Sequence, residues 1–279
     1  MEGRGMCRLL MFTGSNEGLA KLLELTELLV EASCNDPFLF EATGGRSSSH
    51  GDGWGYALSL KVGGSVRTLY YRTSKQVWLS EEKEKLLGLM EGLKEAERYY
   101  GLIHSRKAGR TEPVGDEHNH PYRYVVDGQE LFFAHNGGVN KQALAEVLGF
   151  EKVSEVTDSF LAGLFIAQRI GKGRRLEEAY RELAGYTKSA LNTGLLHVDM
   201  LNNTATLYVS SLIVQREPAR EKYYALFTAS CPGLAVVLSS TISALAEERR
   251  VLSAVGVKSG FFKLEDQGLR EIATCRCST

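Results

Sequence analysis

The chain has 279 residues, of which 43% are hydrophobic and 24% charged, and its formal net charge is −1. This balance argues against nucleic acid as the main partner, because phosphate binding usually shows as a basic excess. No stretch approaches the about 18 consecutive apolar residues that a membrane span needs. The five cysteines are few, odd in number and scattered, which is typical of a reducing compartment. Composition therefore predicts a cytoplasmic globular protein without a membrane or nucleic-acid partner.

Hydrophobic periodicity divides the chain into short strands and amphipathic helices. The predicted strands are, in chain order, residues 7–13, 54–62, 66–72, 101–106, 122–126, 130–136, 193–200, 204–211, 223–230 and 234–240. The predicted helices are residues 19–29, 80–99, 141–148, 158–170, 176–186 and 242–248. Strands, then helices, then strands again predict one domain of two packed sheets with helices outside.

Short local signals refine these boundaries. Ser15-Asn16 offer cap chemistry before the first helix. Gly63-Gly64 and Asp127-Gly128 predict tight hairpin turns, because both positions of such a turn need a positive φ. Residues 42–53 are polar and rich in Gly and Ser, so they predict a surface loop.

Four polar motifs lie at the ends of predicted strands or on the adjoining loops, where functional sites usually gather. They are HGDGWG at 50–55, HSRKAG at 104–109, AHNGG at 134–138 and TDS at 157–159. Taken singly, each also has a structural explanation. His-Asn-Gly is typical of a turn, Thr157 before Asp158 is typical of a helix N-cap, and Arg106 fits a rim charge at a strand end.

Together with Cys7, these motifs describe a site for amide hydrolysis. A cysteine thiolate can attack a carboxamide carbon, and an Asn side-chain amide with a Gly backbone N–H can hold the oxyanion. An arginine can bind an α-carboxylate through two hydrogen bonds, and an aspartate can hold an α-ammonium. Hydrolysis of the glutamine side chain requires these functions. An N-terminal Cys7 needs no histidine base, because its own α-amine, with an ordinary pKa of roughly 7.7–8, can accept the thiol proton.

The order and spacing of the motifs resemble a class II glutamine amidotransferase domain of the N-terminal-nucleophile (Ntn) hydrolase superfamily, and most closely its stand-alone members. The matching segments are Met-Cys-Arg-Leu at 6–9, Asp-Gly-Trp-Gly at 52–55, His-x-Arg-x-Ala at 104–108, His-Pro at 120–121 and His-Asn-Gly at 135–137. The family's Ser-Asp-Ser/Thr-Glu segment is matched only partly, by residues 157–159. Phe160 stands where many members have Glu, and Gly109-Arg110 replace a commoner Thr-containing pair. These departures leave open whether glutamine or another γ-glutamyl amide is the substrate.

The resemblance implies a fold, a reaction and a set of residues. The fold would be α+β, a four-layer αββα sandwich of two antiparallel sheets flanked by helices. The thiol would attack the amide, release ammonia and leave a γ-glutamyl thioester that water hydrolyses to glutamate, with no metal or organic cofactor. The residues carried over are Cys7 as nucleophile, Asn136 and Gly137 as oxyanion hole, Arg106 for the α-carboxylate, Asp158 for the α-ammonium, and His104 and His135 as further substrate-binding residues.

Residues 1–6 precede the expected nucleophile and leave two interpretations open. If they stay attached, the Cys7 nitrogen is an amide, and the chain is a non-catalytic Ntn-fold subunit that binds a ligand or regulates a partner. If they are absent, residues 7–279 form a single amidotransferase-like domain, and translation from Met6 with removal of that methionine is favoured over self-cleavage. Ammonia would then pass to a separate protein subunit or be released.

A zinc site is a further alternative. His118-x-His120 and the distant Cys275-x-Cys277 contain zinc-ligand types. However, His120-Pro121 already belongs to the family pattern, and a terminal Cys-x-Cys lacks the usual two-residue spacing. The expectation is therefore that the site holds no metal.

Overall fold

The computed structural model describes residues 5–274, which form an α+β protein with two antiparallel sheets. The strands are β1 (Met6–Gly14), β2 (Trp54–Val62), β3 (Ser65–Thr73), β4 (Arg98–Lys107), β5 (Tyr122–Val126), β6 (Gln129–Val139), β7 (Thr187–Asp199), β8 (Thr204–Ser211), β9 (Leu226–Cys231), β10 (Leu234–Ser239), β11 (Val255–Gly256), β12 (Gly260–Glu265) and β13 (Gly268–Ala273). The α-helices are α1 (Leu19–Cys34), α2 (Pro37–Ala42), α3 (Ser80–Glu91), α4 (Lys141–Leu148), α5 (Asp158–Gly171), α6 (Leu176–Ala184), α7 (Pro218–Tyr224) and α8 (Ser240–Glu248). No helix in this range is long and apolar enough to cross a membrane.

The strands pair in two separate sheets. Sheet A has seven strands in the order β11-β9-β10-β1-β4-β2-β3, and sheet B has six in the order β13-β12-β8-β7-β6-β5. β1 lies inside sheet A, between β10 and β4, and β6 lies inside sheet B, between β7 and β5. The first strand of the chain is therefore central, which explains why all of its residues are buried.

The two faces of β1 enter different cores, as the two-residue period of a strand requires. Leu9 and Met11 belong to a buried cluster that also contains Phe132 of β6, so this cluster joins the two sheets. Leu10 and Phe12 face the other way, into a cluster shared with α1, α3 and α8. A strand buried on both faces reads as a continuous apolar run, which is the pattern of residues 7–13.

Sheet B has its own helical cover. Helix α5 contacts β5, β6, α4 and α6. Leu161 and Phe165 of α5 share a buried cluster with Phe133 of β6 and Tyr180 of α6. These contacts explain the apolar periodicity from which the helices at 141–148, 158–170 and 176–186 were predicted.

Both predicted hairpin turns are confirmed. Gly63 and Gly64, between β2 and β3, have φ of 58° and 75°. Asp127 and Gly128, between β5 and β6, have φ of 48° and 76°. Two successive positive φ values match the right-handed twist of the flanking strands.

Several local predictions are wrong for identifiable reasons. Ser15 forms no side-chain cap, because a short 3-10 turn precedes α1. The helix predicted at 80–99 ends at Glu91, since Arg98 already begins β4. The strand predicted at 223–230 begins only at Leu226, because its tyrosines complete α7, which Pro218 opens at its favoured first position.

Candidate active site

Pairing between β1 and β4 places the expected nucleophile beside the expected arginine. Cys7 and Arg106 are opposite each other in the antiparallel register, and each is 3% exposed. Two motifs that lie about a hundred residues apart in the chain are therefore joined by main-chain hydrogen bonds.

Strand β6 of the other sheet supplies the next residues. The Cys7 backbone N–H donates to Oδ1 of Asn136 at 3.0 Å. The Nδ2 atom of Asn136 is buried and has no hydrogen-bond partner. At Gly137 a Cβ atom would overlap the Ala190 carbonyl oxygen and lie 2.8 Å from Nε2 of His135. A side chain therefore does not fit there, and Gly137 lines the same cavity as Cys7.

One small cavity of about 10 Å³ adjoins Cys7, which is roughly the space that one water molecule needs. Five of the seven expected site residues line it, namely Cys7, Arg106, Gly137, Asp158 and His135. Its other lining residues are Gly5, Lys107, Gly109, Glu112, His120, Thr157 and Ser159. Asn136 adjoins the cavity through its bond to Cys7, whereas His104 lies outside it.

The Arg106 guanidinium is only partly satisfied. Nη2 donates to the Pro113 carbonyl oxygen at 2.9 Å, while Nη1 is buried without a partner. A buried unpaired donor is costly, most of all on a charged group. A carboxylate bound in the cavity would remove that cost, and arginine binds carboxylates with good geometry.

Asp158 stands at the start of α5, held by main-chain and side-chain donors. Its Oδ2 accepts from the Val139 backbone N–H at 3.0 Å, and its Oδ1 accepts from the Ser159 hydroxyl at 3.2 Å. Thr157 is the N-cap, since its Oγ1 accepts from the Phe160 N–H at 2.9 Å. The capping interpretation of Thr157 is thus confirmed, and it leaves the Asp158 carboxylate on the cavity wall.

Glu112 is a cavity residue that the sequence did not suggest. Its Oε2 accepts from the Asp158 backbone N–H at 3.2 Å and lies 3.3 Å from Nζ of Lys141. Burial, together with the nearby Asp158 charge, raises the pKa of this carboxyl. It comes from a polar loop with no periodicity or motif, so no sequence signal marked it.

Three buried histidines lie at or next to the cavity: His135 and His120 line it, and His104 packs against them. His135 lies with Nδ1 2.9 Å from the Ser159 hydroxyl and Nε2 3.0 Å from the Ala190 carbonyl oxygen. His104 packs behind it, with Nε2 3.3 Å from the His135 carbonyl oxygen. The centre of the His120 ring lies 4.0 Å from that of His104, with the two planes tilted by 39°, and neither ring nitrogen of His120 has a partner. Burial lowers the pKa of all three rings below its ordinary value.

The departure from the family pattern at Phe160 has a structural explanation. Its ring packs 5.6 Å from Tyr122, 5.9 Å from Tyr124 and 6.0 Å from Phe150. The side chain therefore belongs to the aromatic packing of sheet B and α5. Its backbone N–H still receives the Thr157 cap.

The Cys7 thiol is not activated while residues 5 and 6 precede it. Burial raises the pKa of the Cys7 thiol to about 12, with the Asp158 charge adding to the effect and Arg106 opposing it. The Cys7 nitrogen is a peptide amide, which is no base. Gly5 lines the cavity, and Met6 is buried.

Behind Cys7, away from the cavity, lies a fully buried polar network centred on Asp36. Arg8 donates from Nε to Asp36 at 2.5 Å, from Nη1 to the Tyr223 carbonyl oxygen at 3.2 Å and from Nη2 to the Thr241 hydroxyl at 2.8 Å. His50 lies with Nε2 2.7 Å from Asp36. Although burial opposes ionisation, the charge of Arg8 and hydrogen bonds from His50 and Arg8 hold the pKa of Asp36 well below its usual range.

The prediction that the whole stretch 42–53 is a surface loop is wrong at His50, because this side chain is completely buried.

This network also contacts the backbone on both sides of Cys7. The Tyr223 hydroxyl donates to the Cys7 carbonyl oxygen at 2.9 Å. Nδ1 of His50 lies 3.1 Å from the Met6 carbonyl oxygen. The peptide bond between Met6 and Cys7 therefore lies between two side chains: its carbonyl oxygen faces His50, and its N–H donates to Asn136.

Within residues 5–274, no group of three or more His, Cys, Asp or Glu side chains could hold a metal ion. Cys275 and Cys277 of the zinc alternative lie outside the described residues. Comparison with known proteins adds no relative: no protein-family model matches the chain, and a search of curated proteins finds no significant match.

Proposed function

We propose that this chain is a class II glutamine amidotransferase or glutaminase-type hydrolase with the αββα fold of Ntn hydrolases. Its reaction is cleavage of a γ-glutamyl amide by an N-terminal Cys7. The observation that carries the proposal is the pair of buried, unpartnered donors beside Cys7, Nη1 of Arg106 and Nδ2 of Asn136. Buried donors in native structures usually have a partner, so a ligand or a water molecule is expected to complete these two.

The substrate would use both ends of the cavity. Arg106 binds the α-carboxylate, and Asp158 accepts hydrogen bonds from the α-ammonium. The side-chain amide then lies toward Cys7, with its carbonyl oxygen toward Nδ2 of Asn136 and the Gly137 N–H. This polarity follows from the charges of the wall residues, which are cationic on β4 and anionic at the start of α5.

The reaction would proceed in two steps. The free α-amine takes the thiol proton, and the Cys7 sulfur attacks the amide carbon while Asn136 and Gly137 stabilise the oxyanion. Collapse expels ammonia, which leaves with the proton from the amine, and a γ-glutamyl thioester remains. Water then hydrolyses the thioester to glutamate and regenerates Cys7.

This activity requires that residues 1–6 be absent from the working protein. With the leader attached, the cavity has room for about one water, the base is missing and the thiol keeps its proton. We propose a cytoplasmic enzyme that begins at Cys7 and either releases ammonia or passes it to an accepting protein subunit.

A second candidate is a non-catalytic Ntn-fold subunit that keeps its leader and binds a ligand or regulates a partner. The position of Gly5 on the cavity wall favours this candidate, since Gly5 then limits access to Cys7. The two candidates differ in one measurable property, which is the mature N-terminus.

Covalent labelling of Cys7 tests the leading proposal. The chain is expressed from Met6, intact mass verifies an N-terminal Cys7, and a glutamine-like chloroketone is added. We expect Cys7 to be labelled, and we expect Arg106→Ala and Asp158→Ala to slow labelling while the exposed neighbour Arg110→Ala does not. If Arg106→Ala and Asp158→Ala are labelled as fast as the wild type, the protein does not recognise glutamine through these residues. If the chain from its native host retains Met1, is not labelled and is inactive, the second candidate is favoured.

A further inference from the structure

His50 has a hydrogen-bonding conflict that depends on the leader. Its Nε2 lies 2.7 Å from an Asp36 carboxylate oxygen, and its Nδ1 lies 3.1 Å from the Met6 carbonyl oxygen. Both partners only accept hydrogen bonds, whereas a neutral imidazole donates just one. The conflict ends when Met6 is removed, since one acceptor then disappears.

Burial and the Arg8 charge favour the neutral form of this ring. Burial lowers the pKa of His50, and hydrogen bonding to Asp36 opposes that effect. The groups that face the ring from every neighbouring element are Asp36 before α2, Arg8 on β1, His104 on β4 and Tyr223 on α7, whose ring is 6.4 Å away. The single proton therefore goes to the shorter bond, from Nε2 to Asp36, and Nδ1 keeps a lone pair.

The lone pair points toward the place where the new N-terminus forms. In the leader-bearing chain, the Cys7 nitrogen donates to Asn136 and the adjoining Met6 carbonyl faces His50. Without Met6, the carbonyl space is open to a water molecule that can bridge the amine and Nδ1.

We propose that His50, oriented by Asp36, is a positioning residue for the α-amine of Cys7. A neutral amine has two N–H donors and one lone pair. One N–H donates to Oδ1 of Asn136, the other donates to the water, and the water donates to Nδ1 of His50. The lone pair is then left for the thiol proton, which moves from sulfur to nitrogen and gives a thiolate and an ammonium. The inference rests on the proposed function in one respect, that Cys7 acts as an N-terminal nucleophile.

Two isosteric substitutions separate positioning from mere support of the fold. In His50→Asn the side-chain amide reaches the position of Nδ1, so an acceptor faces the amine while the bond to Asp36 is lost. In His50→Gln the amide reaches the position of Nε2, so the bond to Asp36 is kept while the acceptor is lost. Neither residue titrates, which removes charge as a difference between the two variants.

The test uses the chain expressed from Met6, with intact mass verifying Cys7 at the N-terminus. The rate of Cys7 alkylation by iodoacetamide is measured across pH 6 to 9, together with kcat and KM for glutamine. We expect His50→Asn to react about tenfold faster than His50→Gln at pH 7, as expected from the cost of misplacing a reacting group. The two variants should differ in kcat and not in KM. His197→Asn, a half-buried histidine far from the site, serves as the matched control.

The opposite order, or equal rates, would show that His50 only supports Asp36. The wild-type mature chain gives a second test in case the variants fold poorly. Imidazole nitrogen-15 spectra should show the neutral Nε2–H form, and a proton on Nδ1 would overturn the proposal. Because iodoacetamide requires no glutamine recognition, a failed glutamine assay with the expected alkylation order would count against the proposed substrate and leave the role of His50 supported.

Discussion

Cys7 stands between two polar regions that are built in opposite ways. The closed side, defined by Arg8, Asp36, His50, Tyr223 and Thr241, pairs its buried side-chain polar atoms, apart from Nδ1 of His50, with one another or with backbone. A satisfied buried network is rigid and costly to break. We interpret the closed side as the scaffold that holds the first strand.

The open side, defined by Arg106, His120 and Asn136, is equally buried but incomplete. Each of its three residues has at least one nitrogen without a hydrogen-bond partner. We infer that unfilled hydrogen-bonding capacity beside a cavity, rather than burial alone, distinguishes a site from a scaffold.

Removal of the thiol should have the largest effect. In the chain expressed from Met6, Cys7→Ala should lower the kcat/KM for glutamine by at least about ten thousandfold, as loss of a nucleophile does in comparable enzymes. Cys34→Ala, which changes an exposed cysteine, is the control and should match the wild type. Steady-state ammonia release provides the measurement, and residual activity within tenfold of the wild type would exclude Cys7 as the nucleophile.

Breaking the closed side should cost stability. Asp36→Ala leaves the buried Arg8 charge without its counter-ion and removes the acceptor for Thr241 and for the N–H groups of Phe38 and Leu39. We expect the free energy of unfolding to fall by about 3–5 kcal/mol, the usual cost of leaving a buried charge unpaired. Denaturant titration measures it, with Asp199→Ala at an exposed turn as the reference. A loss below about 1 kcal/mol would mean that the network is not the scaffold we describe.

A change on the open side should instead affect substrate affinity. Arg106→Lys keeps the positive charge but loses the planar fork that matches a carboxylate. We expect KM for glutamine to rise about 10- to 100-fold with little change in kcat, since the α-carboxylate lies away from the reacting bond. Arg110→Lys provides the control. An unchanged KM would place the α-carboxylate elsewhere.

The local parts of this arrangement could be predicted from the sequence. The two hairpin turns, with Gly63-Gly64 and Asp127-Gly128 at positive φ, depend on adjacent residues alone. The motifs around Cys7 and Arg106 mark strand ends, and the β1–β4 register brings them together. Such features follow from short-range pattern and from the family resemblance.

The closed side could not be predicted in this way. Arg8 and Thr241 are 233 positions apart, and Arg8 and Asp36 are 28 apart. His50 stands in a stretch of Gly and Ser that reads as a surface loop, yet it is completely buried. Polar residues carry no periodic signal, so only the packed fold shows which of them meet.

The smallest expected effect concerns His120, which lines the open side with two unpartnered ring nitrogens. His120→Phe removes both unsatisfied atoms and keeps an aromatic ring beside His104. We expect the free energy of unfolding to rise by about 1 kcal/mol at pH 7.5, because an apolar group then replaces an unpaired polar one. Activity should fall, as is common when a binding site is made more stable.

The gain from His120→Phe should grow in acid. Burial, with His104 and Arg106 nearby, holds the pKa of His120 well below the ordinary 6.5. Below pH 6.5, His120 therefore binds a proton in the unfolded chain but not in the folded chain. The free energy of unfolding of the wild type falls as the pH falls. Phenylalanine binds none, and its advantage should widen by about 1 kcal/mol between pH 6.5 and 5.5. Denaturant titrations at three pH values measure this slope. If the difference in unfolding free energy between the two proteins does not change with pH, His120 is protonated as easily in the folded chain as in the unfolded chain. Its ring nitrogens would then already have hydrogen-bond partners.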